Sequence, residues 1–390
     1  MSNRLEVLHI ASFNGNIGDN ANHNGFRYLF EKNFERDIRY NELEIRKFYF
    51  SWQKRNFDKK FAERANENDL VIFGGGNFFD LTWPQSSTGC TIDIPKMILE
   101  RINTPILFNA IGLGYGISRS YNEEAISNFE DLLQYFSNNP DDYFVSLRND
   151  GSMDNMRELF GSKFDEHVLE VPDNGFFVQT EDSYHPELIG GYNSIGVNIV
   201  CDGEENRFNK DISIDDFKDK FSQILTQVLQ EYPNYQIIFF PHIYSDVNII
   251  YNVIERIPDD IRRIRLKIAP YLSGQGSEKY IMNLYENCEL LLGMRFHSNV
   301  GAIAKNVPSI SMATNHYRVP SLYDKLGIDD RVLKVNVKGF DRELKKHILD
   351  TLKGDKAENI QQTYDEINQN LKKQGNNYLQ KVRAWFLSEV

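Results

Sequence analysis

Apolar residues in this chain fall into short runs, separated by longer stretches in which they recur every three or four positions. The runs predict strands at Glu6–Ser12, Leu70–Phe73, Ile106–Ile111, Tyr143–Leu147 and Val168–Val171. A second series follows at Ser194–Val200, Gln236–Phe240, Arg265–Ile268, Leu290–Leu292 and Ser309–Met312. Between them, Ala21–Phe34, Glu123–Asn138, Gly151–Phe160, Ile214–Tyr232, Asp246–Ile257 and Glu278–Asn287 carry the spacing of amphipathic helices. Strands alternating with helices imply βαβ units and mostly parallel sheets. Runs such as Leu70–Phe73 and Gln236–Phe240, rich in β-branched and aromatic side chains, suit strands covered on both faces.

The polar, turn-prone segment Gln179–Asn193, with Pro186 and Gly190-Gly191, divides the two series. At 390 residues the chain exceeds one ordinary core. The expected organisation is an α/β protein with an N-terminal Rossmann-like domain over residues 1–182 and a C-terminal one over 190–340. A charged helical tail over 341–390 follows, interrupted at Gly354 and Gly375, of the kind that packs back on the first domain.

Composition narrows the class. Hydrophobic residues at 41% and charged residues at 26% describe a soluble globular protein. A net charge of −12 argues against a general nucleic-acid binder, while a few local arginines can still focus positive potential on a small anion. Cys90, Cys201 and Cys288 are odd in number, widely spaced and without a C-x-x-C pair, which disfavours a disulfide framework or zinc site and fits a reducing cytosol. No signal-peptide h-region is present, and no apolar run approaches the roughly 18 residues of a membrane span, so a cytoplasmic location is expected. The 27 Phe and 20 Tyr are expected chiefly in cores, with a ring-lined carbohydrate site as the alternative.

Nearly every unusual residue lies just past the carboxyl end of an expected strand, the edge where open α/β sheets collect ligands. After the first strand, Asn14–Asn20 opens a helix, where Asp19 or Asn20 is able to cap it or to contact a ligand. After the second, Gly74–Asp80 includes Gly75, Gly76 and Asn77, a loop open to close approach and able to turn N–H groups to an oxyanion. A tight structural turn accounts for it equally well, and it is neither a Walker loop nor G-x-G-x-x-G. The loop Ile111–Gly116, with Gly114, follows the third strand, and Ser146–Ser152 places Arg148 at a rim after the fourth. In the second series the corresponding segments are Asn198–Asp202, Pro241–Asp246 with His242, Arg295–Ser298, and Asn315–Arg318. Loops of this kind on two sheets point to a central cleft between two Rossmann-like domains. The most telling stretch is Leu290–Ser311: a strand, then Arg295 and His297, then a helix of small residues, then another strand. A helix start favours negative charge. The bland alternative makes Arg295 a surface cation and His297 a satisfied histidine beside a turn.

Taken together, the motifs resemble the polysaccharide pyruvyl transferase family. The matching elements are Gly15–Asp19, Asp69–Gly76, Gly112–Gly114, Ser146–Ser152, Pro172-Asp173 and Gly293–His297, continuing through Gly301–Ala304 and Val307–Ile310 in the family's order. The resemblance implies a two-domain GT-B-like fold. It also implies transfer of a pyruvyl group from phosphoenolpyruvate to sugar hydroxyls of a cell-surface glycan, as a ketal; that chemistry needs no metal, no D-x-D or His/carboxylate triad argues for one, and no cofactor beyond the donor is expected. By resemblance Arg295 and His297 contact phosphoenolpyruvate, with Arg148 as a second cation. Two departures stand out: Arg148-Asn-Asp replaces the family's Arg-Asp, and Arg318 stands where the family often has Lys, which keeps the charge but changes the geometry. The donor's carboxylate and phosphate call for at least two cationic groups. Protonating its methylene carbon calls for an acid near neutrality, for which His297 is the candidate. Asp19 and Asp80 are the candidate bases, and His242 and His316 the competing histidines. The remaining candidate contacts are Asn16, Asn20, Gly75, Gly76, Asn77, Gly114, His242 and Ser298. Expected partners are phosphoenolpyruvate and a glycan or lipid-linked sugar, with peripheral membrane association and homo-oligomerisation left open and no nucleic acid. Two rivals remain: a GT-B glycosyltransferase using a nucleotide sugar, and a catalytically silent binding protein of the same fold.

Overall fold

The computed structural model describes residues 4–52, 54–115, 121–188, 190–208 and 211–388. Gly116, the end of the expected glycine loop, lies outside the described residues, as do 1–3 and 389–390 at the ends of the expected domains and Ile189 between them. The chain divides into two compact units. The first comprises Met1–Asn14, Asn22–Phe177 and Leu371–Val390, and the second Gly15–Ala21 and Val178–Asn370.

The first unit is built on β1 (Arg4–Ala11), β2 (Asp37–Glu44), β3 (Leu70–Phe73), β4 (Gly76–Asp80), β5 (Ile106–Gly114), β6 (Tyr143–Arg148) and β7 (Val168–Val171). Its order is β2-β1-β3-β5-β6-β7, with β4 paired to β5, and the pairings are parallel. Much of the phenylalanine sits here: Phe73 stacks on Phe108 at 4.9 Å between centroids, and Phe108 meets Phe136 at 4.8 Å. Such rings bury large apolar area with defined geometry, which is the packing role expected of them.

Two of these strands escape the apolar pattern. β2 reads Asp-Ile-Arg-Tyr-Asn-Glu-Leu-Glu and is at least partly exposed from Asp37 to Glu42, as an edge strand with one partner can be. The segment expected as a glycine loop is largely strand: Gly76 opens β4, and Gly112 and Gly114 lie inside β5. Gly76 cannot carry a side chain, because a Cβ there would come within 2.4 Å of the Phe78 ring. β5 continues past its apolar run through a bulge, where the register to β6 shifts between Phe108 and Ile111 and Ala110 takes φ 49°. Ser146 covers the break: its Oγ accepts from Ala110 N at 2.9 Å.

The second unit holds β8 (Asn193–Asn198), β9 (Tyr235–Phe239), β10 (Leu266–Ile268), β11 (Leu290–Gly293), β12 (Ser309–Ala313) and β13 (Val332–Lys334). Their order is β10-β9-β8-β11-β12-β13, again paired in parallel. The helix Ile214–Glu231 shows why the sequence folds this way. Ser213 and Asp216 form a capping box at its start, and Ile214, Phe217, Phe221, Leu225 and Val228 are buried at helical spacing. In each sheet the chain reverses its direction of strand addition once, between β1 and β3 and between β8 and β11.

The tail forms two helices, Phe340–Leu352 and Lys356–Ser388. Gly354, at φ 64°, separates them as expected. Gly375 instead stays inside the second helix, and the reason is contact: within the first unit a Cβ there would lie 2.9 Å from the Phe177 ring and 3.0 Å from Leu29. Leu371–Val390 belongs to the first unit and Asp341–Asn370 to the second. Among the described residues no helix is long and apolar enough to cross a membrane.

Tyr378 ties the tail helix to the bulge. Its hydroxyl donates to Asn109 Oδ1 at 2.9 Å and lies 2.8 Å from Ser146 Oγ, all buried. Removing it strands a buried amide oxygen, so Tyr378→Phe should lower unfolding free energy by about 1–3 kcal/mol. Urea denaturation would measure this, and an unchanged midpoint would show that the hydroxyl is not holding the bulge.

Candidate functional site

The second sheet's reversal between β8 and β11 is where a ligand crevice is expected in an open α/β sheet. Asn198 ends β8 and braces both neighbours: its Nδ2 donates to Phe240 O at 2.8 Å, and its Oδ1 accepts from Arg295 N at 2.9 Å. Arg295 is the N-cap of the helix Phe296–Ala304. Its carbonyl is held by Ser298 Oγ at 2.7 Å and Asn299 Nδ2 at 2.8 Å, which fixes the turn from strand to helix.

The guanidinium of Arg295 is strongly engaged. Nε donates to Asp246 Oδ2 at 2.8 Å and Nη2 to Asp246 Oδ1, a two-pronged pair, while Nη2 also reaches Asp202 Oδ1 at 2.6 Å. Asp246 is fully buried and accepts two backbone N–H bonds as well, from His242 at 2.9 Å and Ile243 at 3.1 Å. Burial would lower the Arg295 pKa, but Asp246 and then Asp202 outweigh it and the value is raised. Arg207 completes the cluster. It is buried, with Nε donating to Asp202 O at 2.7 Å, Nη2 to Asp202 Oδ2 at 3.4 Å and Nη1 to Thr314 Oγ1 at 3.4 Å. Burial is the largest influence on Asp202 and opposes its charge, yet Arg295 and Arg207 together pull its pKa down.

His297, two residues after Arg295, is half-buried, and Gly18 lies against its ring. A Cβ at Gly18 would come 2.2 Å from His297 Nδ1 and 2.4 Å from Cγ, so only glycine fits. Gly18 belongs to Gly15–Ala21, which is part of the second unit. Asn16 caps the first helix, Ile17–Phe34, accepting from Gly18 N at 2.8 Å and Asp19 N at 3.1 Å, while Asp19 Oδ2 accepts from Asn16 N at 3.3 Å. Asn20 Nδ2 bonds the carbonyls of Gly15 and Asn16 and reaches Ser277 Oγ at 3.4 Å. Gly274 N donates to Gly15 O at 3.2 Å, and Ile17 and Ala21 enter the apolar cluster around Phe240, Met282, Tyr285 and Leu291.

The motif residues of the first unit form their own buried network. Arg148 is 3% exposed, its Nε donating to Asp150 Oδ2 at 2.6 Å and its Nη1 to Asp173 Oδ2 at 3.4 Å. Ser152 Oγ bonds Asp150 and accepts from Leu113 N, and Asn22 Nδ2 donates to Asp173 at 3.2 Å. Gly75 makes room for Asn22, and Gly112 for Arg148 and Asn77, since a Cβ at either would lie within 3.0 Å of those side chains. Gly114 ends β5, and Asp80 accepts from Thr82 Oγ1 at 2.9 Å.

Several expectations are corrected here. Arg148 is not a rim cation but a buried one, and the Asp150 that made its motif depart from the family pattern is its partner. His242 is 1% exposed with Nε2 2.7 Å from Tyr285 Oη, and burial, then the charges of Arg295 and His297, push its pKa well below the ordinary value. The imidazole is thus enclosed instead of presented at a rim, and its lowered pKa favours the neutral form. Ser298 is buried and spends its hydroxyl on the helix start. Asn16, not Asp19 or Asn20, is the cap itself, with Asp19 as its reciprocal partner. His316 stacks on Tyr317, and Arg318 opens the helix Arg318–Lys325. Arg207 and the role of Asp202 and Asp246 as partners of Arg295 are not legible from spacing. Among the described residues no group of three or more His, Cys, Asp or Glu is placed to hold a metal, and the three cysteines are free thiols.

The enclosed imidazoles set an acid limit on stability. His9 resembles His242: fully buried, with burial, then Arg27 and His23, pushing its pKa well below the ordinary value. Unfolding restores an ordinary histidine titrating near about pH 6.5, so the unfolded chain takes up more protons below that pH. The stabilisation from these two groups is therefore complete above about pH 6.5 and lost as pH falls toward their folded values. Carboxylates with lowered values, such as Asp202, act only nearer about pH 4. Between about pH 6.5 and 4.5 the urea midpoint should thus fall, and less steeply in His242→Gln. A wild-type midpoint that stays level across this range would contradict neutral burial.

A family model described as Polysaccharide pyruvyl transferase matches residues 16–316, which includes both the Gly15–Ala21 segment almost whole and the Arg295–His297 turn. None of the curated proteins matches. Among solved structures, the chain is similar to the S. aureus MnaA-UDP co-structure at 10% identity, covering 99% of this chain and 98% of that one, with a TM-score of 0.55. It is similar to a putative UDP-N-acetylglucosamine 2-epimerase from Listeria monocytogenes at 12% identity, 97% and 94% coverage and TM-score 0.54. The UDP-GlcNAc 2-epimerase from Methanocaldococcus jannaschii gives 12% identity, 90% and 91% coverage and TM-score 0.54. At such identities the likeness is one of fold, and the fold is the GT-B type. With a family match over most of its length, this chain belongs to the polysaccharide pyruvyl transferase family.

Proposed function

We propose that the protein transfers a pyruvyl group from phosphoenolpyruvate to two hydroxyls of a glycan sugar, leaving a cyclic ketal and inorganic phosphate. The observation that carries this reading is the seating of His297 against Gly18 beside the Arg295 turn, at the strand reversal of the second sheet. A titratable ring is thereby held beside a cation where a small doubly charged donor needs both. In this reading Arg295 and Arg318 supply positive charge to the donor, and His297 protonates its methylene carbon. The central carbon then becomes electrophilic and a sugar hydroxyl adds to it, its proton passing to a carboxylate for which Asp19 is the candidate. A second hydroxyl closes the ketal as the C–O bond to phosphate breaks, the electron pair leaving with phosphate. Of the two hydroxyl protons, one balances the new methyl group and the other ends on phosphate. Acid–base help of this kind is typically worth about 10²–10⁴ in rate.

The second reading is a nucleotide-sugar donor on the same fold, favoured by the likeness to a UDP co-structure. Thermal shift with phosphoenolpyruvate and with UDP-sugars separates the two. Stabilisation by the UDP-sugars alone would end the pyruvyl reading, and acceptor-dependent release of phosphate from phosphoenolpyruvate would establish it.

Two substitutions test the residue roles. His297→Gln should lower acceptor-dependent phosphate release by about 10²–10⁴ while leaving donor binding near wild type. Gly18→Ala drives a methyl group into the His297 ring, and misplacing a catalytic group by about 1 Å should cost about 10²-fold in turnover. Wild-type turnover in both would remove His297 from the mechanism.

A further inference from the structure

The two carboxylates on Arg295 are held very differently. Asp246 has no exposure and is pinned by two backbone N–H groups, so it is part of the frame. Asp202 sits on the turn after Cys201, its side chain 35% exposed, and each of its oxygens goes to a different guanidinium: Oδ1 to Arg295 Nη2 at 2.6 Å and Oδ2 to Arg207 Nη2 at 3.4 Å. Gly203 follows in the left-handed region at φ 66°, which lets the turn run directly into the short helix Glu204–Arg207 that presents Arg207. With Asp202 in place the four charges sum to zero, and without its carboxylate the cluster carries a net positive charge. Arg207 also keeps its place without that carboxylate, through the Asp202 backbone carbonyl and Thr314. Two guanidiniums thus converge on a partly exposed carboxylate, at the strand-reversal edge where ligands of this fold bind.

We propose that Arg207 and Arg295 form a subsite for a carboxylate- or phosphate-sized oxyanion, and that Asp202 occupies it as an internal competitor which the ligand displaces. The inference deepens the donor reading above and rests on it for the ligand's identity: one anionic end of phosphoenolpyruvate would replace the Asp202 carboxylate across the two arginines. An internal competitor lowers the apparent affinity by the fraction of molecules left open. It also returns to the arginines when product phosphate departs, which keeps buried Arg207 and part-buried Arg295 paired.

The test is Asp202→Asn, which removes the charge but keeps the side chain's shape and the backbone carbonyl that holds Arg207. Binding of inorganic phosphate, pyruvate and phosphoenolpyruvate is measured by calorimetry on the full chain, alongside thermal unfolding. If Asp202 holds the pair in about nine molecules of ten, the variant should bind the matching anion about tenfold tighter. Pyruvate responding alone assigns the subsite to the donor's carboxylate, and phosphate responding alone assigns it to the phosphate. Glu204→Gln, which removes a neighbouring exposed charge, should change little, and Arg207→Gln added to Asp202→Asn should abolish the gain. Equal tightening by Glu204→Gln would reduce the effect to general field and overturn the proposal. So would wild-type affinity in Asp202→Asn, or a chain that fails to fold while Asp202→Glu folds and binds as wild type, since Asp202 would then be structural. The two readings fail separately. Wild-type protein that binds phosphoenolpyruvate no less tightly than Asp202→Asn keeps the donor reading and ends this one. A gain for phosphate with no phosphoenolpyruvate binding by either protein keeps the subsite and ends the donor reading.

Discussion

The paired hydrogen bonds between Arg295 and Asp246 hold the second unit's functional edge in place. Taking two ions out of water costs several kcal/mol each, and the cost is offset only where geometry is good and remaining polar atoms are satisfied. Asp246 meets that condition through the N–H groups of His242 and Ile243, and Arg295 through Asn198 at its backbone. The consequence runs outward along the chain. With Arg295 anchored at both backbone and side chain, the first turn of the following helix has one available direction, and His297 is carried to Gly18.

The first unit uses the same chemistry with a different result. Arg148 is held by Asp150 and Asp173 much as Arg295 is held by Asp246 and Asp202; Arg148 is the last residue of β6, and Arg295 lies two residues past the end of β11. In the first unit both carboxylates are fully buried and the network is sealed among Ser152, Asn22 and backbone groups. In the second, one of the two acids reaches solvent. One arrangement sets the shape of a sheet edge; the other leaves a cation reachable there.

Much of the fold was legible because buried parallel strands must be apolar on both faces. β3, β5, β9, β11 and β12 announce themselves in that way, and their alternation with amphipathic helices names the class. β2 and β13 are edge strands, and nothing demands an apolar run of a strand with one neighbour. β4 was hidden by glycines whose role is to let Phe78 and Asn22 pack, not to form a loop. At the site, Arg295 and His297 stand out by spacing, as does the Gly15–Asp19 segment. Their partners do not: Asp202 and Asp246 lie 93 and 49 residues away, and Arg207 belongs to no recurring pattern. Burial is equally invisible in a sequence, which is why Arg148 and His242 read as reactive groups when both are enclosed.

Seven residues near the start, Gly15–Ala21, complete the core of a unit whose other residues begin at Val178. A ribosome delivers those seven more than one hundred and fifty positions ahead of everything they pack against, so the second unit assembles through contacts of very long sequence separation. Closing so wide a chain span before any reward is slow. Severing the polypeptide at Phe177, the position where the fold looks most divisible, would leave the carboxyl fragment without Ile17, Ala21 and the glycine beside its own imidazole. The two halves of this enzyme family member are therefore not modules that can be exchanged by a single crossover.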